Sequence, residues 1–352
     1  VGYKRYRLEP RSPVSPPHGL RAAGGQLENG ALRVLVDERT GTVTSVFDKL
    51  RNAELVSPER PEFGVLLRRS HHADYLGADD YVAAQDGPVE VRYENGACAA
   101  SVVVVRPESP LARLKLTLFR DLDWLQVQML IARERTRHVP LGEHSDHYYA
   151  AFSLNLADGC NIRFDGPAGL LNPADDFLPG AVRSRFVAQH VVEVTDADGA
   201  RILMAPREAS LCQVGRKGAR GPDFAPTPTL FWKVLSDADE GRTKDLGAVT
   251  YPFIEPGSPP ATYHFALRAG QGRADDPDAY RFGMEQSVAP VAAFMPPAAK
   301  PLFRPLPPRL PPSQSFVEVS PPNVVLLTLK QPEDGAPNEV VLRFMELAGK
   351  PS

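Results

Sequence analysis

Proline is the sequence feature that most limits how this chain can fold. The chain has 36 prolines among 352 residues, roughly twice the usual share of about 5%. A proline inside a helix removes a backbone donor and clashes with the preceding turn. Long helices are therefore disfavoured, and the sequence predicts short strands joined by turns.

Short segments of alternating or β-branched apolar residues support this prediction. Turn sequences such as DERTGT and PEDGAPN separate them, as expected for reversals between antiparallel neighbours. The predicted fold class is all-β, with a large antiparallel sandwich. Ten segments are predicted as strands: 31–37, 42–48, 88–94, 98–106, 113–120, 124–132, 186–196, 261–269, 323–330 and 339–347.

One helix and one proline-rich stretch interrupt the strand pattern. Residues 275–294 place acidic residues before Tyr280, Phe282 and Met284, and Pro290 ends the helical pattern. The following MPPAAKPLFRPLPPRLPP is typical of an extended polyproline II connector. The predicted domain order is a linker with a leading strand (1–26), a large β-sandwich (27–295), the connector (296–312) and a small C-terminal β segment (313–352).

Charge and composition argue against several classes of partner. The chain has 40 basic and 43 acidic residues with no basic block, so no nucleic-acid partner is predicted. Its apolar runs are far shorter than the roughly 20 residues of a membrane-spanning helix, so no membrane partner is predicted. The cysteines Cys98, Cys160 and Cys212 are far apart and odd in number, which favours a reducing compartment over a disulfide framework. No signal peptide is visible, and we expect a cytoplasmic protein.

The stretch SHHADYLGADDY concentrates residue types that bind metals. His71, His72 and Asp74 are its candidate ligands for a divalent ion. However, adjacent histidines in an extended segment point to opposite faces, and a glycine-containing loop does not hold ligands on one face as a helix does. We favour a polar loop without metal, in which Tyr81 and Asp80 are candidates for contact with carbohydrate or with a neighbouring domain.

No catalytic residue can be assigned from sequence motifs. The chain has no GxSxG nucleophile elbow and no phosphate-binding glycine loop after a strand. A pair of glycosidase carboxylates needs no proximity in sequence, so the 43 acidic residues single out no such pair.

Several stretches, in order along the chain, resemble the C-terminal β-domains of glycoside hydrolase family 38 α-mannosidases. LENGALRVLVDERTGTVTSVFDKLRNAELV (27–56) is similar to the family's L-E-N start, D-x-x-T-G turn and D-K-x-x-x-x-E-L-V continuation. DGPVEVRYE resembles its G-P-V strand, YYAAFSLNL its Y-x-A-F-P-type strand, and VVLLTLKQPEDGAPNEVVLRFMELAGK its closing turn and strand. The resemblance implies a galactose-mutarotase-like supersandwich with a small C-terminal β appendage.

The resemblance also implies a role for the chain. In this family the aspartate nucleophile, the acid/base carboxylate and the zinc ligands belong to an N-terminal catalytic domain that these residues do not resemble. We therefore expect a non-catalytic C-terminal part, without a cofactor of its own, that buttresses and partly lines the sugar-binding cleft of that zinc-containing domain. The implied partners are the catalytic domain and an α-mannoside.

Three points remain open. Arg343, which is charged on an otherwise apolar strand, is a candidate for contact with sugar or the catalytic domain, and an outward-facing edge arginine is the alternative. SDADEGRTKDLG stands where many bacterial members have an N-N-x-W-x-T-N loop, so no substrate contact is carried over there. A free-standing carbohydrate-binding or scaffolding module is the alternative function.

Overall fold

The structure is a computed structural model in which the chain forms two compact units. The larger unit contains residues 15–274 and 278–287, and the smaller contains residues 1–14, 275–277 and 288–352. The structure describes residues 2–6, 19–60, 62–71, 81–136, 145–157, 159–167, 169–214, 228–237, 259–271, 277–288, 290–292, 311–320, 322–333, 335 and 338–348.

The described residues form 24 strands and one α-helix, α1 (Asp278–Ser287). The strands are β1 (Gly2–Lys4), β2 (Arg21–Ala23), β3 (Gln26–Glu28), β4 (Leu32–Asp37), β5 (Thr42–Asp48), β6 (Ala53–Glu54), β7 (Phe63–His71), β8 (Tyr81–Ala83), β9 (Glu90–Asn95), β10 (Ala99–Val105), β11 (Leu111–Phe119), β12 (Trp124–Ile131), β13 (Ser145–Ser153), β14 (Asn161–Gly166), β15 (Gly169–Leu171), β16 (Arg185–Val187), β17 (Val192–Thr195), β18 (Ala200–Pro206), β19 (Leu211–Gln213), β20 (Thr229–Asp237), β21 (Ala261–Gln271), β22 (Ser313–Ser315), β23 (Val324–Lys330) and β24 (Val341–Glu346).

The described residues of the larger unit form three antiparallel sheets. A nine-stranded sheet has the order β15-β14-β17-β18-β21-β12-β11-β10-β9, and a six-stranded sheet the order β16-β19-β20-β13-β7-β8. A five-stranded sheet runs β2-β3-β4-β5-β6, so β2, within the stretch predicted as a linker, pairs as its edge strand. The predicted all-β antiparallel class is confirmed.

One apolar core joins the three sheets, because alternate residues of their strands point inward. In β12, Leu125, Val127, Met129 and Ile131 are buried, while the glutamines between them are only partly buried. Phe265 of the nine-stranded sheet packs against two aromatic rings of the six-stranded sheet, with ring centroids 5.0 Å from Phe152 and 6.1 Å from Trp232. The indole Nε1 of Trp232 also donates a hydrogen bond to Met204 Sδ at 3.1 Å. The two larger sheets therefore pack against each other around aromatic side chains.

The motif residues of the five-stranded sheet stabilise its turns. The buried Asn29 side chain accepts hydrogen bonds from the backbone N–H groups of Ala31 and Leu32, and it donates to the carbonyls of Phe119 and Leu122. It thereby ties the β3–β4 turn to the β11–β12 turn. A polar side chain is stable in this core because each of its groups is paired.

Three further motif positions hold the β4–β5–β6 segment. Asp37 Oδ1 accepts from the backbone of Arg39 in the DERTG turn, where Gly41 has a φ of +65°. The buried Asp48 accepts from Leu50 N and from the Arg51 guanidinium. Glu54 Oε1 accepts from three backbone N–H groups, those of Val46, Leu55 and Val56. Within this motif, the conspicuous polar residues form hydrogen bonds at turns and strand ends, so they specify the fold.

The segment 186–196, predicted as one strand, is two strands in different sheets. β16 belongs to the six-stranded sheet and β17 to the nine-stranded sheet, so the chain crosses between the sheets at residues 188–191. The fully buried Asp165 holds this crossover, accepting from His190 N at 2.7 Å, Val191 N at 2.8 Å and His190 Nδ1 at 2.6 Å. The prediction was wrong because the apolar pattern continues through the crossover while the backbone there bonds to a carboxylate.

The helix α1 (Asp278–Ser287) ends before Pro290, the residue at which the sequence predicts the helical pattern to stop. Its last turn is closed by the Ser287 hydroxyl, which donates to the carbonyl of Gly283 at 2.9 Å, and Val288 is already exposed. Pro290 follows, and proline cannot donate to a continuing helix. No helix within the described ranges is long and apolar enough to cross a membrane.

The described residues of the smaller unit form two short sheets. In one, β1 pairs with β22, so that Gly2 lies opposite Ser315. In the other, β23 pairs with β24 as a hairpin that exposes apolar side chains such as Phe344 and Leu329. Most of the predicted connector lies outside the described residues, which resume at residue 311.

Candidate functional site

The outer face of the nine-stranded sheet, which points away from the core, is divided into an apolar half and a polar half. Helix α1 covers the first half, where Ala279 and Phe282 pack with Leu203, Ala205 and Ala266. The second half, over β9 to β12 and part of β21, carries polar side chains and contains a groove of about 430 Å³. Ligand pockets are commonly 300–1,000 Å³, so the groove has room for a small ligand.

Strand register brings the groove residues together from strands far apart in sequence. Ser101, Thr117 and Gln126 lie directly opposite one another across β10, β11 and β12. In the next row Lys115, Gln128 and His264 lie opposite one another across β11, β12 and β21. Directly opposite residues share a face of the sheet. The described residues that line the groove are Glu94, Asn95, Gly96, Ala99, Ser101, Lys115, Thr117, Phe119, Gln126, Gln128 and His264.

Charged side chains in the groove form an ion pair with each other. Lys115 Nζ lies 2.6 Å from Glu94 Oε2, and the buried hydroxyls of Ser101 and Thr117 are 2.9 Å apart. In the part of the chain that the structure describes, no hydrogen bond joins the Gln126 carboxamide to another side chain or to the backbone. The groove therefore offers hydroxyl and amide groups together with one neutralised ion pair.

His264 is held on both ring nitrogens. Its Nδ1 lies 3.0 Å from Glu208 Oε1, its backbone N–H donates to Glu208 Oε2 at 2.7 Å, and its Nε2 lies 3.0 Å from Gln128 Nε2. Burial acts to raise the pKa of Glu208, but the hydrogen bonds from His264 outweigh it and hold that pKa below its ordinary value. The imidazole is thus engaged at both ends, and it orients Gln128 rather than offering a free base.

An ionic network fixes α1 beside the groove. The buried Glu193 accepts from Arg163 Nε at 2.6 Å and from Arg201 Nη1 at 3.3 Å. Burial raises the pKa of Glu193, and both arginines oppose that rise. Asp278, at the start of α1, accepts from Arg201 and from Arg268, whose guanidinium lies over the Phe282 ring. These charged groups pair with one another, so we assign them a structural role.

The site residues predicted from sequence lie apart from the groove or outside the described residues. His71 ends β7 and Tyr81 begins β8, with only their backbones described. His72, Asp74 and Asp80 fall in 72–80, outside the described residues. Arg343 is exposed on β24, opposite Thr328. Their contacts with metal, sugar or a domain therefore stay predictions.

The expectations that the chain binds no metal and forms no disulfide also stay predictions. No group of three or more His, Cys, Asp or Glu residues in the described ranges is arranged to hold a metal ion. Cys98 is exposed, Cys160 and Cys212 are buried, and no disulfide joins these cysteines within the described ranges. Complete burial raises the pKa of the Cys212 thiol well above its ordinary value, which disfavours the reactive thiolate.

Sequence reasoning missed the groove. Its signal was present as polar residues at alternate positions, Lys115 and Thr117 in β11 and Gln126 and Gln128 in β12. Such alternation is ordinary for a strand with one solvent-facing side. Only the pairing of β21 with β12 places His264 beside these residues. This pairing distinguishes a candidate binding site from an ordinary polar sheet surface.

Comparison with known proteins yields similarity of structure alone. No protein-family model matches the sequence, and no curated protein does. An α-mannosidase from Enterococcus faecalis V583 matches 92% of this chain over 36% of its own length, with a TM-score of 0.63 and 12% identity. A protein in glycosyl hydrolase family 38 from Enterococcus faecalis matches 97% of this chain over 40% of its own length, with a TM-score of 0.59 and 11% identity. A galactose mutarotase related enzyme from Lactobacillus acidophilus matches 70% of this chain over 97% of its own, with a TM-score of 0.38 and 10% identity.

The likeness to the two Enterococcus faecalis structures is one of fold. Nearly the whole of this chain superposes on them, yet it spans only about two fifths of their length or less. The family that the sequence motifs resemble is also the family named for one of these structures, with which this chain shares the fold.

Proposed function

We propose that this chain is the non-catalytic C-terminal β part of an α-mannosidase-like family 38 glycoside hydrolase. In this proposal it buttresses a zinc-containing catalytic domain and partly lines its sugar-binding cleft. The observation that carries the proposal is the match of 92% of this chain to 36% of an α-mannosidase at a TM-score of 0.63. A portion of that size leaves room in the matched protein for a separate catalytic part.

The motif residues support the same proposal. Asn29, Asp48 and Glu54 are used for turn and strand-end hydrogen bonds. These are the positions on which the family resemblance depends most, and their side chains form hydrogen bonds that stabilise the fold. The proposed partners are the catalytic domain and an α-mannoside, and the proposed location is cytoplasmic.

Activity measurements test the proposal. The complete open reading frame that encodes these residues and the fragment 1–352 are expressed separately and assayed on a chromogenic α-mannoside, with zinc and with chelator. We expect zinc-dependent hydrolysis with retention of anomeric configuration from the former and none from the fragment, because the family's nucleophile and acid/base lie in the catalytic domain. Turnover by residues 1–352 alone would show that the chain is itself an enzyme.

A free-standing carbohydrate-binding module is the second candidate function, and the polar groove favours it. This function predicts an open reading frame product that binds glycosides but does not hydrolyse them under any metal condition. The same two preparations therefore distinguish the candidates.

A further inference from the structure

We propose that the groove on the outer face of the nine-stranded sheet is a binding site for a neutral carbohydrate of one or two sugar rings. This inference goes beyond the proposed function, because it assigns a ligand to residues of this chain whether or not a hydrolase carries them. The groove's charge balance, hydrogen-bonding groups, aromatic wall and rigidity all favour such a ligand.

Charge balance disfavours an ionic ligand. Among the described lining residues, the charged side chains of Lys115 and Glu94 neutralise each other at 2.6 Å. A phosphate or polyanion would need several unpaired cations or a bidentate arginine, and no arginine is among the described lining residues. An acyl chain would bury hydroxyls and amides without partners, which is unfavourable. A neutral ligand rich in hydroxyl groups meets neither obstacle.

The hydrogen-bonding groups of the groove match sugar hydroxyls. A carboxamide presents a donor and an acceptor side by side, and hydroxyls do both as well. The partly buried Gln126 carboxamide is unengaged within the described part of the chain, directly opposite the paired hydroxyl of Thr117. Adjacent hydroxyls of a sugar ring can therefore bond to Gln126 while Ser101 and Thr117 accept further hydrogen bonds at the floor.

The second carboxamide is held in one orientation. Because His264 Nδ1 faces the Glu208 carboxylate, Nδ1 carries the proton and Nε2 accepts from the Gln128 amide group. Gln128 Oε1 then remains as an acceptor for a ligand hydroxyl. Fixing a binding group before the ligand arrives reduces the entropy lost on binding.

An aromatic ring lines the same groove. Phe119 is a lining residue, and Trp124 supports it with ring centroids 5.0 Å apart. Aromatic faces provide rigid apolar surface, which suits the C–H face of a sugar ring lying beside polar groups. The groove thus combines polar and apolar contact of the kind that a sugar requires.

Ligand titration with matched variants tests the assignment. Residues 1–352 are titrated by calorimetry with methyl α-mannoside, methyl β-galactoside and an α-linked mannobiose as neutral probes, and with mannose 6-phosphate as the anionic probe. The variants are Gln126→Ala, which breaks no described hydrogen bond, Gln128→Ala, and the control Gln189→Ala, an exposed glutamine that does not line the groove. Thermal unfolding confirms that each variant folds.

We expect at least one neutral glycoside to bind, with Kd raised roughly five-fold by Q126A and by Q128A, the size of one lost hydrogen bond. We expect Q189A to bind as the parent protein does. Absence of binding by every neutral probe, equal binding by all variants, or preference for the anionic probe would overturn the assignment. A negative titration leaves the result of the hydrolase assay unaffected, and a negative hydrolase assay leaves the titration unaffected. The groove assignment and the proposed function therefore fail separately.

Discussion

Replacement of Asp165 by alanine is predicted to destabilise the larger unit strongly. The carboxylate is fully buried and accepts from His190 N at 2.7 Å, Val191 N at 2.8 Å and His190 Nδ1 at 2.6 Å. Alanine would leave two backbone N–H groups of the crossover without this acceptor, at about 1–3 kcal/mol each. The His190 ring is partly exposed and can turn to water. We therefore expect a loss of about 4 kcal/mol, a large part of the 5–15 kcal/mol typical of a folded protein.

Urea unfolding followed by tryptophan fluorescence measures this change, as a lower midpoint at unchanged slope. Asp196→Ala is the matched control, because Asp196 also accepts two backbone N–H bonds, from Asp198 and Ala200, but in a turn that water reaches. Its loss should cost about 1 kcal/mol or less, since water replaces the lost acceptor. Equal destabilisation by the two variants would refute the role assigned to the buried carboxylate.

Two further predictions concern close packing and charge. Gly283→Ala would place a Cβ 2.8 Å from Val191 Cβ and 2.9 Å from the His190 carbonyl oxygen, so we expect a loss of about 1–3 kcal/mol in thermal unfolding; unchanged stability would contradict the close approach of α1 to the crossover. Burial, with the nearby positive charge of Arg185, lowers the pKa of Lys233 to about 8, and Arg185→Gln should raise that pKa, as measured by the pH dependence of lysine methylation. The unfolded chain keeps this proton up to about pH 10.4. The contribution of Lys233 to the free energy of unfolding should therefore rise between pH 8 and about pH 10.4. A flat or falling pH profile of stability in the parent protein, relative to Lys233→Met, would contradict the burial of this charge.

Where a strand depends on its own residues, the sequence predicts it well. The predicted segments 42–48 and 124–132 correspond to β5 (Thr42–Asp48) and β12 (Trp124–Ile131), because alternation along one strand reports which of its faces is buried. The segment 186–196 fails for the opposite reason. Its division into β16 and β17 depends on Asp165, more than twenty residues earlier in the chain, and no local pattern contains that contact.

The sequence by itself therefore determined the all-β class, the positions of strands such as β5 and β12, and a family resemblance whose motif residues stabilise turns. The tertiary structure alone decided where the groove lies. Thr117, Gln126 and His264 become neighbours only because β11, β12 and β21 pair in one register, with β21 inserted beside β12 from more than a hundred residues away. Side-chain alternation is a local property of each strand, whereas strand order is set by non-local pairing and by the core that the sheets share.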